Sequence, residues 1–141
     1  MPTTSQATPD EFLRVLTPFV NSGDDVIVIT LSSKLSGTYQ SAVIAATELG
    51  RNVYIVNSQS VSVGAGILVE YALKLVESKK YSIEEIVEKL IKESNNIRIV
   101  ALLDTLEYLK KGGRISKTVA FAGGLCVFCQ KCLLIFIIYN L

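Results

Sequence analysis

Asp25-Val26-Ile27-Val28-Ile29-Thr30-Leu31-Ser32-Ser33-Lys34-Leu35-Ser36-Gly37-Thr38-Tyr39-Gln40-Ser41 is the stretch that decides the fold. Residues 25–31 hold a β-branched apolar run of strand length. Such a continuous run suits a strand covered on both faces, as in a parallel sheet. Residues 32–35 make a polar connection, and Ser36 then opens a helix. Tyr39, Ala42, Val43, Ala46 and Leu49 fall at helical spacing behind it, with Gly50 as terminator.

The same alternation continues outward. Residues 53–56 form a second short strand, followed by a polar stretch over 57–62. Residues 67–76 are apolar nearly all round, which predicts a buried helix. Ser82-Ile83-Glu84-Glu85 is a capping box. Behind it, Ile83, Ile86, Val87, Leu90 and Ile91 make one apolar stripe, with Glu85–Lys89 and Glu88–Lys92 as outer pairs. Residues 97–103 read as a third strand. A short helix starts at Asp104-Thr105-Leu106-Glu107, and Lys110-Lys111-Gly112-Gly113 ends it. Towards the N-terminus, Thr8-Pro9-Asp10-Glu11 is a second capping box with proline at the first helical position. Phe12, Leu13, Leu16, Phe19 and Val20 share one face of that helix. Pro18 should kink or shorten it, and Asn21-Ser22-Gly23-Asp24 ends it. The expected fold is α/β: an open parallel or mostly parallel sheet with flanking helices.

The 141 residues, half of them apolar, suffice for one sizeable core. A net charge of +1 supplies no field for nucleic acid or an acidic membrane surface. The N-terminus carries no basic stretch and no apolar run of the secretion type. Cys126, Cys129 and Cys132 crowd into one short stretch, which argues against a disulfide scaffold and fits a reducing cytoplasm. Histidine is absent, which removes the commonest general base and the commonest metal ligand.

Chemistry concentrates at Ser36-Gly37-Thr38. Ligands of open α/β sheets bind beyond the carboxyl ends of strands, where a helix N-terminus offers unpaired N–H groups and a positive dipole end. Gly37 would let a ligand approach the backbone, and Ser36 and Thr38 add hydroxyls. A plain serine cap explains the same residues, and both readings stand at this point. A serine nucleophile fails for want of partners: there is no histidine, no Gly-x-Ser-x-Gly elbow and no Ser-x-x-Lys pair. Gly64-Ala65-Gly66 imitates a dinucleotide fingerprint, but Val69 replaces the third glycine and the strand ends too early; close helix packing explains these glycines better. Cys126-x-x-Cys129-x-x-Cys132 has cluster spacing without a fourth ligand, so no metal is expected. Residues 125–141 fall short of the ~20 apolar residues a membrane span needs and read as a buried or misplaced strand. Lys110, Lys111, Arg114 and Lys117 form a small cationic group. Arg114 could meet a carboxylate or phosphate with its planar fork, although a solvated helix end accounts for most such charges.

Three stretches together resemble the DegV family of bacterial fatty-acid-binding proteins. They are Pro2-Thr3-Thr4-Ser5-Gln6, the segment from Ser32 to Ser41, and Asp104-Thr105-Leu106-Glu107-Tyr108-Leu109-Lys110-Lys111-Gly112-Gly113-Arg114-Ile115-Ser116. The resemblance implies a two-domain α/β protein that buries one acyl tail in an apolar pocket. Tyr39, Ala42 and the apolar helix over 67–76 suit the wall of such a pocket and equally suit ordinary core. The resemblance implies that Thr4 and Ser36 hydrogen-bond the carboxylate, with the Gly37 backbone beside it and Arg114 facing the head group. It also implies a carrier and not an enzyme, with no catalytic residue and no cofactor beyond the bound acid. Its partner would be a separate fatty-acid kinase catalytic subunit. Two departures stand out. The Pro-Thr-Thr-Ser-Gln stretch begins the chain here, where in the family it follows a first strand. After Gly123-Gly124-Leu125 the family pattern gives way to the cysteine stretch and an apolar tail. The expectation is therefore a partial DegV-like domain over residues 1–125 and a divergent tail over 126–141, frameshifted or otherwise altered. A small-metabolite kinase or transferase, and a non-functional truncated remnant, are the competing expectations.

Overall fold

The structure, a computed structural model, describes residues 4–50, 52–99, 101–103, 107–114 and 133–135, the last strand and residues 101–103 by backbone alone. The chain divides into two units, Met1–Arg98 and Ile99–Leu141.

In the first unit the elements are α1 (Pro9–Asn21), β1 (Val26–Thr30), α2 (Thr38–Leu49), β2 (Val53–Asn57), α3 (Val63–Ser78) and α4 (Ile83–Ser94). Helix α1 starts where its capping box requires: Glu11 N–H donates to Thr8 Oγ1 at 3.3 Å, and Thr8 N–H donates to Glu11 Oε2 at 2.7 Å. Pro18 does not shorten the helix, which runs on to Asn21. Proline removes one ladder bond, and the Ser22 N–H still closes the end on the Pro18 and Phe19 carbonyls. Helix α4 repeats the capping box with Ser82 and Glu85. Glu85 is thereby turned back to its cap, while Lys89 lies 4.5 Å from the Tyr81 ring centroid instead of pairing along the helix. An outer pair does form on α3, between Glu70 and Lys74 at 2.7 Å.

Strands β1 and β2 are parallel, in register from Val26 opposite Val53 to Thr30 opposite Asn57. Helices α2 and α1 flank one side, and α3 and α4 pack towards the other. On that second face Val56, Leu68, Ala72, Leu75, Ile86 and Leu90 form the core, joined by Ile27 and Ile29 of β1. Helix α4 runs alongside β2 in the same direction. The Tyr54 hydroxyl at the start of β2 donates to Glu84 at 3.1 Å, and Gln59 just past its end bonds Ser94 and Asn95.

Helix α3 is longer than expected and is not buried all round. Gly64, Leu68, Ala72 and Leu75 form its inner stripe, whereas Ile67 is 51% and Leu73 57% exposed. The sequence shows apolar residues on every side, but within this unit α3 packs mainly on β1 and α4, which cover one face. Close packing at the expected glycine pair also holds for one member only. Gly64 is buried, while a Cβ at Gly66 would meet nothing within 4 Å.

The second unit holds β3 (Ala101–Leu103), α5 (Glu107–Lys111) and β4 (Leu133–Ile135). The third strand is shorter than the expected 97–103 and pairs antiparallel with β4, so part of the apolar tail is a strand. Gly113, at φ +72°, closes α5 with its N–H on the Lys110 carbonyl, as the paired glycines require. Cys126, Cys129, Cys132 and Lys117 lie outside the described residues.

Candidate functional site: the carboxyl end of the parallel strands

Beyond Thr30 and Asn57 the two strands continue together as serine-rich loops. Ser58 N–H donates to the Thr30 carbonyl at 3.1 Å, and Ser32 N–H to the Ser60 carbonyl at 2.8 Å. Ser32, Ser58 and Ser60 are buried, and their polar groups are taken up locally: Ser58 Oγ and Ser60 exchange bonds at 3.2 Å, and Ser32 Oγ accepts from Lys34 N–H at 3.3 Å. Asn57 ties the loops together. Its Oδ1 accepts from the N–H groups of Ser33 and Gln59, and its Nδ2 donates to Ser33 Oγ at 2.8 Å. Gln59 adopts φ +53°, a left-handed conformation held by this ring of bonds.

Ser36 lies on the rim of that platform, half-buried. Its N–H donates to the Ser32 carbonyl at 3.2 Å, closing the turn. Its hydroxyl accepts from Thr38 N–H at 3.3 Å and lies 2.9 Å from Thr38 Oγ1. Helix α2 thus begins two residues later than expected, at Thr38, with Gly37 in the capping position. The Ser36 side chain serves the turn leading into the helix. Gly37 has an ordinary φ of −73°, so backbone conformation does not demand glycine there. Contact does: a Cβ at this position would lie 2.0 Å from Gln6 Oε1.

Thr4 is exposed, in the irregular segment leading to the Thr8 cap, two residues from Gln6. Two residues of chain span at most ~7 Å, so Thr4 is tethered close to a side chain resting on Gly37. Arg114 belongs to the second unit. It is exposed, with its guanidinium turned onto the Gly112 carbonyl and its N–H on the Leu109 carbonyl at 2.9 Å. Lys111 pairs with Glu107 one turn back. Among the described residues no group of three or more Cys, Asp or Glu could hold a metal ion. The rim of the platform offers hydroxyls, amides and backbone N–H groups, a donor set that can hold an anion without exchanging a proton with it.

On the side of β1 that α3 and α4 cover lies a largely apolar, open cavity of about 510 Å³. Ile27 and Ile29 line it from the strand, Val69, Ala72, Leu73 and Val76 from α3, and Ile83 and Ile86 from α4. Of the expected acyl wall, the α3 residues therefore do face a cavity. Ala42 is instead fully buried, and neither it nor Tyr39 lines this space. Asp25 and Tyr81 stand at the cavity's edge near the start of β1, the end remote from Ser36 along the strand.

The model of the DegV family, whose members are described as uncharacterised proteins, matches residues 1–127. The chain belongs to the DegV family. A DegV domain-containing protein of Caldanaerobacter subterraneus is 42% identical over 126 residues, 89% of this chain and 45% of the relative. A DegV-family protein from Thermus thermophilus, described by its fatty acid binding, superposes with a TM-score of 0.78 at 39% identity, covering 90% of this chain and 45% of that one. A stearic-acid-binding protein from Eubacterium ventriosum superposes with a TM-score of 0.78 at 28% identity, covering 86% and 43%. This DegV chain thus spans less than half the length of these relatives. No described helix is long and apolar enough to cross a membrane.

The sequence points to Thr4, Ser36, Gly37 and Arg114, of which the first three lie in the first unit and Arg114 in the second. The ties that Gln6, Asn57 and Gln59 make around the turn are not expected from it. Asn57, at the end of an apolar strand, carried a signal, because a side-chain amide there can bridge to a neighbouring loop.

Proposed function

We propose that this chain binds a long-chain fatty acid and presents it to a separate fatty-acid kinase subunit, acting as a carrier. The carboxylate is held by the hydroxyls of Thr4 and Ser36 and the Gly37 backbone. What carries this is the pairing, within one unit, of a hydroxyl-rimmed turn at the carboxyl end of β1 with an apolar cavity along the same strand. The cavity volume lies in the range of small-ligand sites, ~300–1,000 Å³. Each buried methylene adds about 0.8 kcal/mol, from which ordering and association costs are subtracted.

The two ends of β1 differ in charge, which sets the direction of the acid. Asp25 edges the cavity at the amino end and repels a carboxylate. The Ser36 end presents hydrogen-bond donors and the positive end of α2. Further support comes from relatives described as binding fatty acids, heptadecanoic and stearic acids among them.

Native mass spectrometry of the purified chain tests this. A co-purified C14–C18 acid supports the carrier. A bound nucleotide points to a small-metabolite kinase or transferase, and a folded chain that takes up no added acid points to a remnant.

A further inference from the structure

We propose that Gln6 is a positioning residue: its carboxamide clamps the Thr4 segment onto the Ser36-Gly37 turn, and Gly37 is glycine in order to admit it. This rests on the fatty-acid reading for the ligand, but the clamp itself is built from contacts within the chain. Gln6 Nε2 donates to Ser41 Oγ at 3.4 Å, across 35 residues of sequence, and Ser41 is 3% exposed. Ser41 in turn sends its N–H to the Gly37 carbonyl at 3.0 Å, the first bond of the helix ladder. The carboxamide therefore spans from Gly37 to Ser41 along the first turn of α2. A Cβ at residue 37 would lie 2.0 Å from Gln6 Oε1, 2.7 Å from Cδ and 2.9 Å from Nε2. All three contacts fall on the tip of one flexible side chain. An alanine at 37 expels Gln6 and leaves the backbone where it is.

The consequence concerns the two hydroxyls of the head-group site. Thr4 lies in a segment without regular secondary structure, so its own backbone does not fix its place. The Gln6 contact is the described tie between that segment and the turn carrying Ser36. It removes in advance the conformational freedom that a bound carboxylate would otherwise have to quench.

A double-mutant cycle on the chain tests the clamp, with Gln6→Ala, Gly37→Ala and the pair. It is read by amide NMR shifts over residues 36–41 without ligand, and by the affinity for hexadecanoic acid. The expected result is that both single variants shift the same amides and each weakens the acid roughly five- to tenfold, the worth of one positioning hydrogen bond. The pair loses no more than Gln6→Ala alone. Gln6→Glu removes the Nε2 donor to Ser41 and adds charge, so it weakens the acid more than it weakens hexadecanol, a discrimination that a merely structural role does not produce. Additive shifts in the cycle, or acid binding equal or tighter in Gln6→Ala, overturn the clamp. Coupled shifts in a chain whose parent form takes no acid overturn the fatty-acid reading, and the positioning role with it.

Discussion

The Ser36 hydroxyl accepts the Thr38 backbone N–H at 3.3 Å and lies 2.9 Å from the Thr38 hydroxyl, so the two side chains and the first amide of α2 converge on one point. Ser36→Ala removes a donor from that point and leaves the turn closed by its backbone bond to Ser32. Binding of hexadecanoic acid should weaken by about 1–3 kcal/mol, the range for a hydrogen bond to a charged group. Calorimetric titration of variant and parent checks this, and equal affinities would remove Ser36 from the site.

The cavity makes a separate demand. Val69 is 42% exposed and lines the cavity, so Val69→Trp can fill it without disturbing the buried stripe of α3. The variant should keep its circular dichroism and its affinity for short acids while losing affinity for C16 and C18 acids. An unchanged chain-length profile would place the acyl tail elsewhere.

Leu90 is fully buried in the core between α4 and β2. Leu90→Ala should lower unfolding stability by roughly 2–5 kcal/mol, measured by urea denaturation.

Much of this fold was legible because its signals are local. The boxes Thr8–Glu11 and Ser82–Glu85 mark helix starts through bonds spanning three residues, and the β-branched run before Ser32 marks a strand by itself. What depends on distant partners was not legible. The exposure of Ile67 and Leu73 follows from how many elements cover α3, which periodicity does not report. The pairing of β3 with β4 joins segments separated by about thirty residues. At the site, Ser36 looked like a cap and Gly37 like an opening for ligand. The structure puts the helix start at Thr38 and Gln6 against Gly37, a contact between segments that sequence spacing does not connect.

The first of those boxes implies a pH dependence. The Thr8 backbone N–H, then its hydroxyl, hold the Glu11 carboxyl below its usual value of 4.5. A carboxyl with a lowered pKa in the folded chain stabilises it above the ordinary carboxylate range and loses that contribution as pH falls through and below it. Stability should therefore drop on acidification below about pH 4.5. Glu11→Gln should flatten that part of a Tm-against-pH curve, and Thr8→Ala should cost about 1 kcal/mol at neutral pH. A Glu11→Gln curve parallel to the parent's would show that the box contributes no pH dependence.

The most direct test of the account is a carbon NMR titration of hexadecanoic acid labelled at its carboxyl carbon, recorded with parent chain, Thr4→Ala and Ser36→Ala. With the parent, one bound resonance is expected whose titration midpoint lies below that of the free acid, because the donors of the turn favour the charged form. That midpoint should move back towards the free value in both variants. A bound carboxyl that titrates identically in all three proteins, or no bound resonance at all, would contradict a carboxylate held at the Ser36 turn.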